Sequence, residues 1–254
     1  MNQLNRYWRV VATGFSFCLF GLGGFIIGAA FLLVKPLPFS TQRKRRWIRR
    51  IISRCCTFYI QIMRAMGLLT YSFEMNTPLP AGALIIANHP TLLDAIFILA
   101  YYDNLCCIMK SALWQHPATA SAARLAGYIS NDSENFIEEA VTNVSNGENL
   151  LIFPEGTRNQ TDVDPSFKRG AANIALSAAC PILPIIIRCE PRTLQKGEKW
   201  YQVPATKPHF SFATDNLLYP EHHVPTDKPR TVRYRRLTHH LEQYYHQVFA
   251  QNLH

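Results

Sequence analysis

An α/β sheet with helices on its faces is the fold this chain predicts, and three observations carry that expectation. Four short, unbroken apolar runs, at 83–87, 105–109, 150–153 and 182–187, have the length and content of strands buried on both sides. Segments of helical length stand among them, at 92–101, 112–126, 134–144 and 170–179, and strands alternating with helices argue for a sheet covered by helices. Ahead of these lie a long apolar stretch and a basic amphipathic one, so an N-terminal membrane helix and an interfacial helix are expected to precede the sheet.

The apolar stretch comes first. Residues 10–34 hold 25 positions without an ionisable side chain apart from the Cys18 thiol. As a helix it would reach about 37 Å, more than the roughly 30 Å hydrocarbon core of a bilayer. It is too long for a signal-peptide core, and it runs into Lys35-Pro36 without a small-residue cleavage site. Arg6 and Arg9 precede it, whereas Lys35, Arg43, Lys44, Arg45, Arg46, Arg49, Arg50 and Arg54 follow, a bias that places the rest of the chain on the cytoplasmic side. Glycines at 14, 21, 23, 24 and 28 loosen the helix, so a re-entrant hairpin is the alternative to a full span. From 47 to 69 apolar residues recur at three- and four-residue steps, with arginines on the other face of the first half. That pattern suits a helix in the headgroup layer, and equally one packed on the core.

The expected division is therefore an anchor and interfacial helix over 1–69 and a catalytic domain over 70–254. Within the second part, 127–130 reads as a short strand, 200–219 as aromatic, proline-interrupted edge strands, and 231–253 as a closing helix. Hydrophobic residues make up 48% of the 254, enough for a sizeable core. The 26 Lys and Arg against 17 Asp and Glu give a net charge of +9, which calls for an anionic partner. The seven cysteines follow neither a zinc spacing nor a small-scaffold disulfide pattern, so buried thiols in a reducing compartment are expected.

Two clusters can do chemistry. Asn88-His-Pro-Thr-Leu-Leu-Asp94 directly follows the first buried run, where α/β folds place reactive groups. A neutral His89 can take a proton from an attacking hydroxyl, and Asp94 can fix its tautomer and stabilise the imidazolium. Phe153-Pro-Glu-Gly-Thr-Arg158 follows another buried run. Glycine there admits close approach to the backbone, and arginine offers a forked donor to phosphate or carboxylate. Phe167-Lys-Arg-Gly170 then opens a helix, whose N-terminus favours anions.

Together these blocks resemble the glycerolipid acyltransferase family, whose best-known members acylate lysophosphatidic acid. The resemblance runs from about residue 84 to 188 with order preserved: His89 to Asp94, Lys110 in Ile-Met-Lys-Ser-Ala-Leu-Trp, Phe-Pro-Glu-Gly-Thr-Arg at 153–158, Phe-Lys-Arg-Gly at 167–170 and Cys-Pro-Ile-Leu-Pro at 180–184. It implies a membrane-bound O-acyltransferase of phospholipid synthesis that moves a fatty acyl group onto the hydroxyl of a lyso-glycerolipid, in the first place 1-acyl-glycerol-3-phosphate. His89 would be the general base, Asp94 its orienting partner, and Lys110, Glu155, Gly156, Thr157, Arg158 and Lys168 the acceptor-binding residues. The implied partners are the lipid membrane, the lysolipid and an acyl-CoA or acyl carrier protein donor, with no bound metal or organic cofactor.

One block departs from the family pattern. Members acting on phosphate-bearing acceptors usually show a glycine, a few apolar residues and an arginine, whereas this chain reads Gly127-Tyr-Ile-Ser-Asn-Asp132. With Asn131 where the cation is expected, glycolipid and non-phosphorylated hydroxyl acceptors stay open. A hydrolase would need its own nucleophile, and no Gly-x-Ser-x-Gly elbow occurs. A nucleic-acid binder fits poorly with cations clustered beside an apolar span and without a recognition motif. An inactive lipid-binding scaffold is the remaining non-enzyme reading, and intact His89 and Asp94 argue against it.

Overall fold

The computed structural model describes residues 3–32, 38, 40–158 and 166–251. Residues 33 and 34 of the expected span, Lys35 directly after it, and residues 252–253 of the expected closing helix lie outside them. The four apolar runs form strands β2 (Leu84–Ala87), β3 (Leu105–Met109), β5 (Asn149–Ile152) and β6 (Ile182–Glu190). With β1 (Thr70–Glu74), β4 (Ile129–Ser130) and β7 (His209–Thr214) they make a seven-stranded sheet in the order β1-β7-β6-β2-β5-β3-β4. All described neighbours are parallel except β6 and β7. Continuous apolar runs were the right signal, because β2 is buried at every residue.

The 200–219 segment supplies β7, which is not an edge strand. It lies between β6 and β1, and the edge is taken by β1, a strand absent from the sequence reading. The two recognise each other over five parallel partners, from Thr70 opposite His209 to Glu74 opposite Ala213. The helix expected over 112–126 is broken into α4 (Ser111–Gln115) and α5 (Ala120–Ala126). Pro117, with no N–H and a fixed φ, stands in the gap.

Right-handed crossovers decide which face each helix covers. From β2 the chain moves outward to β3 through α3 (Asp94–Tyr101), then to β4 through α5. It returns through α6 (Phe136–Ser145) to β5 and through α7 (Gly170–Ala178) to β6. The helices accordingly pack in two groups. On one side α2 (Thr41–Ala65) lies against α3 and α5, and α1 (Gln3–Leu32) rests on α2 and α5. On the other, α7 packs between α6 and α9 (Arg230–Gln251), with the short α8 (Pro220–His223) beside them. The loops leaving the adjacent strands β2 and β5 thus turn to opposite faces, which opens a crevice at the C-terminal end of the sheet.

α2 begins six residues before the expected helix and turns Ile48, Tyr59, Ile60 and Met63 into the core shared with the sheet. Trp47, Phe58 and the arginines 43, 46, 50 and 54 stay outside. Arg49 is the exception, buried on a 2.9 Å ion pair with Glu148 and donating Nε to the Ala126 carbonyl at 2.8 Å.

α1 includes a segment, Asn5–Phe31, long and apolar enough to cross a membrane. It is amphipathic in reverse. The side facing the protein carries Arg9, Thr13 and Ser16, all buried, while Tyr7, Val11, Phe15, Leu22, Phe25 and Ile26 face outward. Arg9 donates to the carbonyls of Pro204 and Thr206 at 2.9 and 3.3 Å, so the start of the chain is fastened to the segment before β7.

All seven cysteines are free thiols, five of them buried. Burial raises Cys107, and it pushes Cys56 and Cys189 up to about 12 and Cys180 up to about 11. Thiolate is the reactive species, so these four should resist modification in the native protein. Timed maleimide labelling followed by mass spectrometry should find the half-buried Cys55 modified before the buried five, which react only on unfolding.

Candidate active site

β2 ends at Ala87, and the next seven residues are held by a dense set of hydrogen bonds. The Asn88 side chain donates Nδ2 to the Ile187 carbonyl at 2.8 Å and accepts the Ile187 N–H at 2.7 Å, fastening the strand end to β6. From α9, the buried Tyr245 hydroxyl lies 2.9 Å from the Ile86 carbonyl and 3.1 Å from that of Ile185. His89 follows on this fixed base. Its backbone N–H donates to Glu155 Oε1 at 3.3 Å, and its ring stacks on Phe153 at 4.2 Å and 23°.

The chain then turns so that Asp94, the first residue of α3, comes back to the imidazole. His89 Nδ1 is 2.8 Å from Asp94 Oδ2. Asp94 is completely buried, whereas the His89 side chain keeps 20% exposure. Thr91 completes the cage, donating its N–H to Oδ2 at 2.7 Å and its hydroxyl to Oδ1 at 2.6 Å. An ionised carboxylate accepts from all three donors, so Nδ1 carries the ring proton and Nε2 is left as the basic nitrogen. The Asp94 charge also reaches the Cys189 thiol, whose rise is due first to burial and next to that carboxylate.

Across the crevice, the loop after β5 carries Glu155, Gly156, Thr157 and Arg158. Gly156 has φ +69°, and a Cβ there would meet Lys168 Cε at 2.9 Å. Glycine thus lets the Lys168 stem lie over the loop, and the Lys168 N–H donates to the Pro154 carbonyl at 2.8 Å. Arg158 donates Nη1 to the carbonyls of Leu194 and Gln195 at 2.8 and 3.1 Å. It also lines an open cavity of about 560 Å³ with Phe17, Leu92, Leu194, Trp200 and Tyr201.

The structure therefore brings together His89, Asp94 and Glu155, and it joins Gly156 to Lys168. Lys110 lies at the same end of the sheet but two strands from His89, exposed at the end of β3. Asn131 accepts the Ser111 N–H on Oδ1 at 3.0 Å, a structural task at the start of α4. Sequence reasoning missed Thr91, whose type is ordinary in a turn, and Phe17, which looks like any other residue of an apolar helix. The Trp200-Tyr201 pair was a visible signal, read only as strand.

The chain is similar to known acyltransferases. An acyltransferase family model matches residues 69–188. A 1-acyl-sn-glycerol-3-phosphate acyltransferase of Helicobacter pylori is 33% identical over 170 residues, covering 63% of this chain and 68% of the relative. The chain belongs to the acyltransferase family. A Pseudomonas aeruginosa protein named for the same activity is 22% identical over 233 residues, 88% of this chain and 85% of its own. The human alpha isoform of that enzyme is 27% identical over 165 residues, of which this chain covers 58% of the relative's length. The crystal structure of PlsC from Thermotoga maritima superimposes with a TM-score of 0.74 at 18% identity, over 99% of this chain and 97% of that one, and so shares the fold.

With His89 as the expected general base, folded His89→Ala should lose at least the lower figure of the about 10²–10⁴-fold that removing such a base costs. Asp94→Asn should fall sharply as well. If Asp94 acts through the histidine, as expected, the double variant should be little worse than His89→Ala, and steady-state acyl transfer by the three purified variants checks this. Gly156→Ala combines a left-handed backbone with a clash against Lys168. It should lower stability by about 1–3 kcal/mol, read from denaturant unfolding.

Proposed function

We propose that this acyltransferase moves a fatty acyl group from an acyl thioester, acyl-CoA or acyl-ACP, onto the hydroxyl of a lyso-glycerolipid at a membrane surface, with 1-acyl-glycerol-3-phosphate as the first-choice acceptor. The observation that carries the reaction type is the His89 ring, tied through Nδ1 to a completely buried carboxylate. The names of the relatives support the acceptor. In the proposed step, Nε2 of His89 takes the hydroxyl proton as the acceptor oxygen attacks the thioester carbonyl carbon. The tetrahedral intermediate then collapses, the carbon–sulfur bond breaks, and the leaving thiolate receives that proton from the imidazolium. Asp94 keeps the ring in one tautomer and balances its transient charge. The atoms balance with no further reactant.

Arg158, on the cavity wall, suits an anionic headgroup, and Lys110 and Lys168 add positive charge at the same end of the sheet. Asn131 favours a broader choice than phosphate alone, because it brings no positive charge where the family pattern has an arginine. Other lipid, glycolipid or non-phosphorylated hydroxyl acceptors are the second reading. The outward apolar face of α1 supports membrane attachment, since a stripe of that size is ill-suited to water. The cations following the span support a cytoplasmic position for the catalytic domain.

The deciding experiment incubates purified protein with a panel of phosphorylated and neutral acceptors and each thioester, then looks by mass spectrometry for the lipid that gains an acyl chain. Gain on 1-acyl-glycerol-3-phosphate is expected, and turnover of neutral acceptors alone would overturn the first choice. Arg158→Ala should lower the specificity constant for the phosphorylated acceptor by about ten- to a hundred-fold more than for a neutral one. Asn131→Arg should raise the preference for phosphate, while loss of the Ser111 hydrogen bond lowers stability by about 1 kcal/mol.

A further inference from the structure

The outward apolar face of α1 continues onto a segment from the far end of the chain. Between β6 and β7, Trp200 lies along α1 so closely that a Cβ on Gly14 would meet the indole Cζ3 at 3.0 Å. The contact covers only part of the ring, and Trp200 and Tyr201 each stay 46% exposed. They stand edge to face at 5.6 Å, and the Lys199 ammonium sits 5.6 Å from the Tyr201 ring centroid. Arg9 fastens the beginning of α1 to the carbonyls of Pro204 and Thr206, a few residues beyond Tyr201. The exposed rings of Tyr7 and Trp8, immediately before Arg9, lie at the same end of α1 as this fastening.

We propose that Lys199, Trp200 and Tyr201 form a second membrane-docking element, seated at headgroup depth beside α1. The proposal rests on the membrane reading given above for α1 and adds to it a contact from the 194–201 segment. Each of the three side chains has an apolar body and a polar tip, the combination that settles where hydrocarbon gives way to headgroups. The occupant is a lipid surface because the patch is continuous with the apolar stripe of α1. The lysine suits the phosphates of an anionic leaflet. Docking also bears on the site, because the same segment supplies the two carbonyls that hold Arg158 and two rings that line the cavity.

Tryptophan fluorescence of the full-length chain tests this directly. One variant keeps only Trp200 (Trp8→Phe, Trp47→Phe, Trp114→Phe) and a second keeps only Trp8. Each is mixed with phosphatidylcholine and phosphatidylglycerol vesicles carrying a quencher at headgroup level or near the bilayer centre. Trp200 emission should shift to shorter wavelength on binding and be quenched more by the shallow probe than by the deep one. Trp200→Glu should lower vesicle partitioning by about tenfold. A response from Trp8 with Trp200 unchanged would overturn the docking element and leave the membrane reading standing. Failure of both residues to respond, with no co-flotation, would overturn the membrane reading itself. A Trp200 shift that follows protein concentration without vesicles would assign the patch to a second copy of the chain and overturn the lipid assignment.

Discussion

The end of the sheet that carries His89 depends on holding the Asp94 carboxylate in a place that water does not reach. Burying such a group is costly unless hydrogen bonds replace its hydration. Here the replacements are local, the Thr91 N–H and hydroxyl and the His89 ring, all within five residues of chain. Position at the first turn of α3 adds the favourable field of a helix N-terminus. These donors reach the carboxylate only if the turn starts from a fixed point, and that explains the effort spent on the end of β2. Asn88 joins it to β6, Tyr245 joins it to α9, and Glu155 joins His89 to the loop after β5. The His89 ring is thus oriented by contacts from four different elements.

How legible this was depends on where each residue's partners lie in the chain. Strands buried on both faces must be apolar throughout, so 83–87, 105–109, 150–153 and 182–187 announced themselves. β1 and β7 carry serine and threonine among their aromatic residues, and their pairing joins positions 139 residues apart in sequence, such as Thr70 to His209. No local pattern reports such a match. The same contrast divides the site. His89 and Asp94 were readable because a single turn joins them. The bond from Arg158 to Leu194 and Gln195, and the placing of Phe17 on the cavity wall, come from chain folding over long distances. The missing cation at Asn131 could be seen in the sequence, but its task of holding Ser111 could not.

The ion pair of Arg49 with Glu148 shows a similar limit. In sequence Arg49 is one of a run of cations that a headgroup layer would welcome, yet it faces inward and is 2% exposed. Its partner immediately precedes β5, so the pair links the basic helix α2 to the base of the central sheet. Buried pairs of this kind add little net stability compared with apolar residues, although breaking one strands a charge and is expensive. Its value here is in register: a rotation of α2 that carried Arg49 to the surface would leave Glu148 unmatched. The outward position of Trp47 and Phe58 follows from that choice.

The reversed polarity of α1 has a consequence for the order in which the protein is made. The side of this helix that bears Arg9 is complete only when carbonyls near residue 204 are available, and those belong to the last quarter of the chain. During synthesis Arg9 therefore exists for most of translation without its partner carbonyls, and it must stay hydrated until they arrive. A helix in that situation is suited to wait at a lipid surface, with its apolar side immersed and its arginine among headgroups. Seating Arg9 on the finished domain is then a late folding event, and it closes the cavity wall that α1 shares with the 194–201 segment.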